Sequence, residues 1–196
     1  MLIYMIRHGQ TDWNAEGRLQ GQQDVPLNAL GRSQASRNGE RLAAELDVTA
    51  ESYDYVASPL GRTRETMERV RAAMGLDPAA YRTETRLMEL SFGDWQGFTL
   101  AELRRQAPER VESRRREKWD FIPPGEAAES YEILSWRVGA WLTSVDRPTV
   151  CVSHGGVVRS VFRLVGKWSR DAACNMNVPQ DRILKIDRDG GTVAWL

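Results

Sequence analysis

Blocks of apolar residues along the chain predict strands and helices that follow one another in turn. Residues 2–6 form a continuous apolar run, which is typical of a strand buried on both faces of a parallel sheet. Shorter runs lie at residues 53–57 and 149–153, and residues 81–87 are a further candidate strand. Apolar residues recur at helical spacing over residues 129–144. Alternating strands and helices predict an α/β fold, a three-layer sandwich with a mostly parallel central sheet and helices on both faces.

Turn and capping residues set the ends of the other predicted elements. Asn28 is placed to cap a helix that runs to about residue 46, and Pro59 to open one that runs to about residue 74. Pro108 interrupts a helical segment, so residues 99–125 are expected to form a helical insertion near the site within one domain over residues 1–196. The remaining predictions are a helix at residues 157–164 and strands at 174–178, 183–187 and 192–196.

Composition excludes some classes of partner. Lys and Arg number 27, as do Asp and Glu, so the formal net charge is zero and no overall field attracts the chain to nucleic acid or acidic lipid. The longest apolar runs are too short to cross a membrane, and no signal peptide fits before the first strand. Cys151 and Cys174 are expected in the core. We therefore expect a cytoplasmic protein without a nucleic-acid or membrane partner, and homodimer formation stays open.

The two histidines of the chain occupy similar positions. His8 follows the apolar run at residues 2–6 and precedes Gly9, while His154 follows the run at residues 149–153 and precedes another glycine. Ligands of open α/β sheets bind beyond the carboxyl ends of the strands. The pattern therefore predicts that the two imidazoles converge on one site.

Arginines beside these histidines indicate an anion rather than a metal. Arg7 precedes His8, and Arg62 and Glu89 follow two further predicted strands. A guanidinium keeps its proton and would repel a bound dication, and the chain lacks the closely spaced ligands of zinc enzymes. Two guanidinium groups and two imidazoles suit a tetrahedral anion such as phosphate. We expect no metal and no other cofactor.

The same residue types can support phosphoryl transfer. Histidine can act as a covalent nucleophile, and transfer then needs charged donors around the oxygens and one group that moves a proton. Glu89 stands just before a glycine-rich turn and is the best-placed carboxyl group to protonate the leaving oxygen and later activate water. A structural salt bridge is the alternative role for Glu89.

Five blocks of the sequence follow one another in a recognisable order. They are Arg7-His8-Gly9-Gln10-Thr11-Asp12-Trp13-Asn14; Gly17-Arg18-Leu19-Gln20-Gly21; Ser58-Pro59-Leu60-Gly61-Arg62; Glu89 with Gly93 and Gly97; and Val152-Ser153-His154-Gly155-Gly156. Together they resemble the histidine phosphatase superfamily, whose founding members are the phosphoglycerate mutases. The resemblance covers most of the chain and implies a phosphoglycerate mutase-like fold.

The resemblance also implies roles for the residues of the site. It implies that His8 becomes phosphorylated and that Glu89 donates and accepts the proton. The groups implied to hold the phosphoryl group are Arg7, Arg62 and His154. By the same resemblance, Asn14 matches a position that contacts phosphate in relatives. Gln20 and Gly21 match a loop that lines the substrate pocket in relatives.

The predicted function is hydrolysis of a small phosphorylated metabolite through a phosphohistidine intermediate. A cofactor-dependent phosphoglycerate mutase is the first alternative, but the strand-like ending leaves no closing tail and residues 93–97 resemble the phosphatase branch. The second alternative is a non-catalytic module that binds phosphorylated ligands, which would be expected to lack the nucleophile or the acid.

Two local assignments stay open. Relatives carry Pro-Gly-Glu-Ser before the long helix, whereas this chain has two extra alanines and a second glutamate there, so either Glu126 or Glu129 can fill the family position. The run Arg114-Arg115-Arg116 can recognise a second anionic group of the substrate or form a solvated helix face, and the solvated face is favoured.

Overall fold

A central sheet organises the fold. The structure is a computed structural model that describes residues 1–46 and 53–196. The strands are β1 (Leu2–Arg7), β2 (Asp54–Ala57), β3 (Arg82–Thr83), β4 (Thr149–Ser153), β5 (Ile183–Asp187) and β6 (Thr192–Trp195). They form a six-stranded sheet in the order β3-β2-β4-β1-β5-β6.

Helices connect and cover the strands. They are α1 (Asp12–Ala15), α2 (Ala29–Glu45), α3 (Gly61–Ala73), α4 (Leu100–Gln106), α5 (Pro108–Arg116), α6 (Tyr131–Ser144), α7 (Gly155–Leu164) and α8 (Arg170–Asn175). Short 3-10 turns lie at Thr85–Leu87 and Gly93–Trp95. Among the described residues, no helix combines the length and the apolar character needed to cross a membrane.

The strands that carry the predicted site are parallel neighbours. Strand β4 pairs in parallel with β1 on one side and β2 on the other, with Arg7 opposite Ser153 and Ala57 opposite Val152. Strands β5 and β6 extend the sheet by antiparallel pairing. The carboxyl ends of β2, β4 and β1 therefore meet at one edge of the sheet.

Alternate residues of each strand face opposite layers. Tyr4 and Ile6 of β1 pack in the cluster that contains Leu42 of α2 and Val70 of α3. Ile3 and Met5 point the other way, into the cluster formed with α6 and α7. Helices thus cover both faces of a mostly parallel sheet, which confirms the predicted α/β sandwich.

Three predicted elements differ from the structure. Residues 174–178 are not a strand, because the Ser169 side chain caps α8 by accepting a hydrogen bond from Ala172 N–H. The strand predicted at 81–87 is limited to Arg82–Thr83, because Glu84 caps the 3-10 turn that follows. Helix α3 begins at Gly61 rather than at Pro59, since Leu60 still has extended backbone angles.

Both cysteines pack in the core as predicted. Cys151 of β4 and Cys174 of α8 belong to the same apolar cluster on the α6 and α7 side of the sheet. Each is a buried free thiol. Burial raises the pKa of both thiols, which keeps them protonated.

Candidate active site

Three strand ends bring the predicted histidines together. His8 follows β1 and donates its backbone N–H to Ser153 O at 2.9 Å, which places it beside the end of β4. Ser58 follows β2 and donates its N–H to Val152 O at 3.0 Å. His154 follows β4, and its ring centroid lies 5.2 Å from that of His8. The two imidazoles therefore converge at the carboxyl edge of the sheet, as the sequence predicts.

Hydrogen bonding fixes the tautomer of His8. The ring is 3% exposed, and Nδ1 lies 2.8 Å from Gly9 O. A carbonyl oxygen can only accept, so the proton sits on Nδ1 and the lone pair on Nε2. Burial, followed by the positive charges of Arg62 and Arg7, lowers the pKa of His8 well below 6.5. Nε2 is thus held unprotonated at neutral pH.

Arg62, on the first turn of α3, links several parts of the site. It is 1% exposed, and its Nε donates to His8 Nε2 at 3.3 Å. The other guanidinium nitrogens donate at 2.6 Å to Gly21 O and Gln23 O. Burial lowers the pKa of Arg62 to about 10, so the group stays charged at neutral pH.

His154 is held between Arg62 and Ser58. The Nη2 of Arg62 lies 3.4 Å from His154 Nδ1, and His154 Nε2 lies 2.8 Å from Ser58 Oγ. A guanidinium can only donate, so in the neutral ring the proton sits on Nε2 and is shared with Ser58. Burial and the charge of Arg62 lower the pKa of His154 well below 6.5.

Arg7 contributes a buried donor that has no partner among the described residues. Its Nη1 donates to Val178 O at 2.6 Å, while its Nε is buried and unpaired. Burial and the positive charge of Arg159 lower the pKa of Arg7 to about 10. An uncompensated buried donor on a cation favours the binding of an anion.

Glu89 is anchored to the amino terminus of α7. Both of its carboxylate oxygens lie 3.1 Å from Gly156 N, and Oε1 also accepts from Leu90 N at 2.9 Å. Gly156 leaves room for this contact, because a side chain there would collide with Glu89. The negative charge of Glu89 acts on both Arg7 and Arg62, which places the carboxyl group in the same site.

The three pocket residues lie next to this core. Asn14 Nδ2 donates to Gln20 Oε1 at 3.2 Å, and Gln20 is buried with its Nε2 unpaired among the described residues. Gly21 adopts φ +55, where its carbonyl accepts from Arg62 and a side chain would overlap Gln96. The structure thus brings all eight predicted site residues to one edge of the sheet.

The arrangement suits a tetrahedral oxyanion. The unprotonated Nε2 of His8 faces Arg62 and the ring of His154, and Arg7 Nε and Gln20 Nε2 add two buried, unpaired donors at the same edge of the sheet. Within the described residues, His, Cys, Asp and Glu side chains form no group of three or more that could bind a metal ion.

Comparison with known families identifies the chain. A sequence model of the histidine phosphatase superfamily (branch 1) matches residues 3–196. The chain belongs to this superfamily. Two curated relatives show substantial sequence identity to this chain over most of its length. Glucosyl-3-phosphoglycerate phosphatase of Mycobacterium tuberculosis is 36% identical over 81% of this chain and 72% of its own. A probable phosphoglycerate mutase of Citrobacter koseri is 40% identical over 78% of this chain and 69% of its own.

A solved structure shares the fold of this histidine phosphatase. Mycobacterial glucosyl-3-phosphoglycerate phosphatase in complex with VO3 superposes with a TM-score of 0.76 at 28% identity, over 100% of this chain and 96% of that one. The fold, the order of the sequence blocks and the site geometry therefore agree with a histidine phosphatase domain.

Glu129 rather than Glu126 supports the backbone of the site, through Arg137. Glu129 forms a bidentate ion pair with Arg137 at 2.9 and 3.0 Å and accepts from Ser91 N–H at 3.1 Å. Arg137 in turn donates to Met88 O and Glu89 O at 2.6 and 3.0 Å. Glu126 is exposed. The pair formed by Glu129 and Arg137, which we call the carboxylate clamp, holds the backbone that carries Glu89.

Some residues at the site carried no assigned role in the sequence. Gln180 Nε2 donates to His8 O at 3.1 Å and to Asn14 Oδ1 at 3.0 Å, although it lies far along the chain. Ser58 follows a buried strand as the histidines do, so its position carried the same signal. Arg159 lies four residues after Gly155 on α7 and therefore on the same face of the helix, so the helical spacing could have indicated that Arg159 lies near the site.

Proposed function

We propose that the chain hydrolyses phosphomonoesters through a phosphohistidine formed on His8. The observation that carries the proposal is the state of His8, whose Nδ1 proton is bound by Gly9 O and whose Nε2 lone pair faces Arg62 and His154. A structural histidine needs no such environment, whereas a nucleophile needs an unprotonated nitrogen beside donors for the phosphoryl oxygens.

The first step transfers the phosphoryl group to the enzyme. An entering phosphate takes the Arg62 Nε–H away from His8 Nε2, which frees the lone pair to attack phosphorus. The new N–P bond forms as the bond from phosphorus to the ester oxygen breaks. Glu89 acts as the general acid and passes its proton to the leaving oxygen.

Hydrogen-bond donors, most of them positively charged, hold the three remaining oxygens during this transfer. Arg7 Nε and Gln20 Nε2 are the unpaired donors, and Arg62 supplies a second guanidinium. A bound dianion also favours protonation of His154 at Nδ1, since opposite charges attract. These interactions strengthen as charge develops on the oxygens.

The second step returns the enzyme to its starting state. Water attacks phosphorus, the N–P bond breaks back to the Nε2 lone pair, and the ionised Glu89 takes the proton of the water. The hydrogen bonds from Gly156 N–H keep the Glu89 carboxyl group in place for both proton transfers. The products are the alcohol and inorganic phosphate.

The substrate class is a small phosphorylated metabolite in the cytoplasm. Relatives named for glucosyl-3-phosphoglycerate and for phosphoglycerate act on such compounds, which supports the proposal. Two free buried thiols favour a reducing compartment. Fractionation of cells that produce the protein tests the location: recovery outside the cytoplasm would contradict it.

Turnover assays separate hydrolysis from the mutase reaction. The protein is incubated with p-nitrophenyl phosphate and, separately, with 3-phosphoglycerate plus 2,3-bisphosphoglycerate, each with and without chelator. We expect hydrolysis that is insensitive to chelation. Faster isomerisation than hydrolysis would establish the mutase alternative, and no turnover of any ester would favour the non-catalytic binding module.

A further inference from the structure

Three side-chain amides connect the proposed nucleophile to an unpaired donor of the site. They belong to Gln180 in the loop between α8 and β5, to Asn14 on α1 and to Gln20 in the loop after α1, and we call this series the amide relay. Gln180 Nε2 donates to His8 O at 3.1 Å and to Asn14 Oδ1 at 3.0 Å. Asn14 Nδ2 donates in turn to Gln20 Oε1 at 3.2 Å. The relay therefore runs from the backbone of the nucleophile to a side chain of the site.

The His8 carbonyl sets the direction of the hydrogen bonds in the relay. A carbonyl oxygen can only accept, so the Gln180 atom beside it must be the amide nitrogen. The same nitrogen faces Asn14, which must therefore present its oxygen to Gln180 and turn its own nitrogen toward Gln20. Gln20 presents its oxygen to that nitrogen, so its own nitrogen points away from the relay. The orientation of three amides thus follows from one backbone carbonyl.

Thr11 supports the same orientation from a second side. Its backbone N–H donates to Asn14 Oδ1 at 3.3 Å, and its hydroxyl donates to Gln20 Oε1 at 3.0 Å. Gln20 Oε1 therefore accepts two hydrogen bonds. Reversal of the Gln20 amide would place its nitrogen against two donors, which costs the free energy of both bonds.

The far end of the relay is a donor without a partner. Gln20 is 6% exposed, and its Nε2 is buried and unpaired among the described residues. A buried N–H group without an acceptor is destabilising, and an oxyanion is an acceptor that removes this cost. With the opposite orientation the amide oxygen would occupy this place, and its partial negative charge would repel a phosphate dianion. The relay therefore decides whether the site presents a donor or an acceptor at this point.

The loop that carries Gln180 is fixed from two sides. Asn38 on α2 is 2% exposed and donates its Nδ2 to Gln180 O at 3.0 Å. Two residues earlier in the loop, Val178 O accepts from Arg7 Nη1 at 2.6 Å, and Pro179 restricts the backbone in between. The loop thus holds the side chain of Arg7 through Val178 and the backbone of the nucleophile through Gln180.

We propose that Gln180 is a positioning residue that orients Gln20 as a donor to the phosphoryl oxygens and holds the backbone of His8. It acts through these groups, because its amide nitrogen donates to His8 O and Asn14 Oδ1. The inference rests on the proposed phosphatase function, in which Gln20 Nε2 binds an oxygen of the transferred group. Transfer then depends on a residue that lies 172 positions from the nucleophile along the chain.

Side-chain NMR tests the orientation of Gln20 without requiring turnover. The Nε2 amide signals of Gln20 are assigned by their absence in Gln20→Met and are followed as inorganic phosphate is added to saturation. We expect a downfield shift in wild type. Gln180→Met keeps the length of the side chain but removes its donors, so this variant should lose the shift. The matched control Gln34→Met should retain it, because Gln34 is a buried glutamine that accepts from Gln10 N–H at 2.9 Å and lies outside the relay.

A double-mutant cycle tests whether Gln180 acts through Gln20. Steady-state kcat/KM for p-nitrophenyl phosphate is measured in wild type, Gln180→Met, Gln20→Met and the double variant. Loss of one donor to a charged oxygen should lower kcat/KM about 10- to 30-fold in each single variant. In the Gln20→Met background, Gln180→Met should cost only about threefold more, which is the share of the His8 contact. Gln34→Met should stay within about threefold of wild type.

A second substitution preserves the shape of the Gln180 side chain. Gln180→Glu is isosteric, but an ionised carboxylate cannot donate to His8 O, so this variant should lose at least as much kcat/KM as Gln180→Met. Wild-type kcat/KM in Gln180→Glu would overturn the inference even if Gln180→Met folds poorly. A retained phosphate-induced shift in Gln180→Met, or single losses that multiply fully in the double variant, would overturn it as well.

Failure of the underlying function would look different. If wild type hydrolyses p-nitrophenyl phosphate but the losses of Gln180→Met and Gln20→Met multiply, the inference alone is wrong. If wild type hydrolyses no ester, yet phosphate shifts the Gln20 amide signals and Gln180→Met abolishes the shift, the proposed phosphatase function is wrong. Gln180 would then still orient a donor, but for anion binding rather than for phosphoryl transfer.

Discussion

The carboxylate clamp should affect catalysis without touching the phosphoryl group. Arg137 holds Glu129 in a bidentate ion pair and donates to the carbonyl oxygens of Arg86, Met88 and Glu89 at 2.9, 2.6 and 3.0 Å. Substitution Arg137→Met removes all of these bonds but keeps an apolar side chain of similar length. The backbone before the proposed proton donor then loses its fixed position.

The expected loss of stability follows from the burial of the pair. The side chains of Arg137 and Glu129 are 20% and 16% exposed. Breaking a buried ion pair on one side costs about 3–5 kcal/mol, and the partial exposure places this pair near the lower end, at about 3 kcal/mol. For a domain of this size, that corresponds to a fall in Tm of about 6–12 °C. A displaced Glu89 should also lower kcat about 10- to 100-fold.

The assay combines thermal unfolding with steady-state hydrolysis of p-nitrophenyl phosphate. KM should change less than about threefold, because Arg7, Arg62 and His154 still hold the phosphoryl group. Arg82→Met is the matched control: Arg82 forms a bidentate pair with Asp54, but the side chains are 51% and 23% exposed. This control should cost less than about 1 kcal/mol and leave kcat unchanged.

A positioning role for the clamp predicts a fall in kcat that a purely structural role does not. If Arg137→Met lowers Tm as expected but leaves kcat within about threefold of wild type, the positioning of Glu89 does not depend on the clamp and the reasoning is refuted. A rise in KM at constant kcat would refute it as well, since that result would assign Arg137 to binding.

Three further outcomes are expected. In NMR of the free protein, neither His8 nor His154 should titrate near pH 6.5, and a titration midpoint near 6.5 for either ring would contradict this. Because both pKa values are lowered in the folded state, the free energy of unfolding should fall as the pH decreases from about 6.5, the unfolded-state pKa, toward the lower pKa values of the folded protein. Inorganic phosphate at about 100 times its Kd should stabilise the protein by about 2.7 kcal/mol and raise Tm by about 5–10 °C, and an equal rise in Arg62→Gln would exclude binding at the site. Gly21→Ala should lower kcat/KM at least about tenfold, because the residue has φ +55 and its new methyl group would meet Gln96; wild-type kinetics would contradict the role of the loop.

The sequence predicts the parts of the site that depend on strand ends. His8 and His154 were placed together because each follows a buried strand, and the parallel pairing of β1 with β4 produces that result. Arg62 and Glu89 are expected there because they follow two further predicted strands, whereas Asn14, Gln20 and Gly21 come from the resemblance to the family alone, and the structure brings all of them to the same edge. A capping residue explains one wrong prediction: Ser169 caps α8, which runs through Asn175, so the apolar alternation at 174–178 does not form a strand.

Long-range contacts explain what pattern and resemblance left out. Gln180 reaches His8 across 172 positions of sequence, and no local spacing signals such a contact. The tautomer of His8 depends on a carbonyl orientation that a sequence does not specify. Likewise, Arg114 and Arg115 are neighbours of identical type, yet packing of α5 turns one toward Arg159 and leaves the other with Glu112.

The central claim is that His8 carries the phosphoryl group, and rapid-quench trapping tests it most directly. Wild type, His8→Ala and His154→Ala are mixed with p-nitrophenyl phosphate that carries radioactive phosphorus and are then quenched in alkali. The protein is examined for bound radioactive phosphate that acid releases. The chain has two histidines, so these two variants assign any phosphohistidine. We predict label on wild type, slower labelling of His154→Ala and none on His8→Ala. Label or undiminished turnover in His8→Ala would contradict the mechanism.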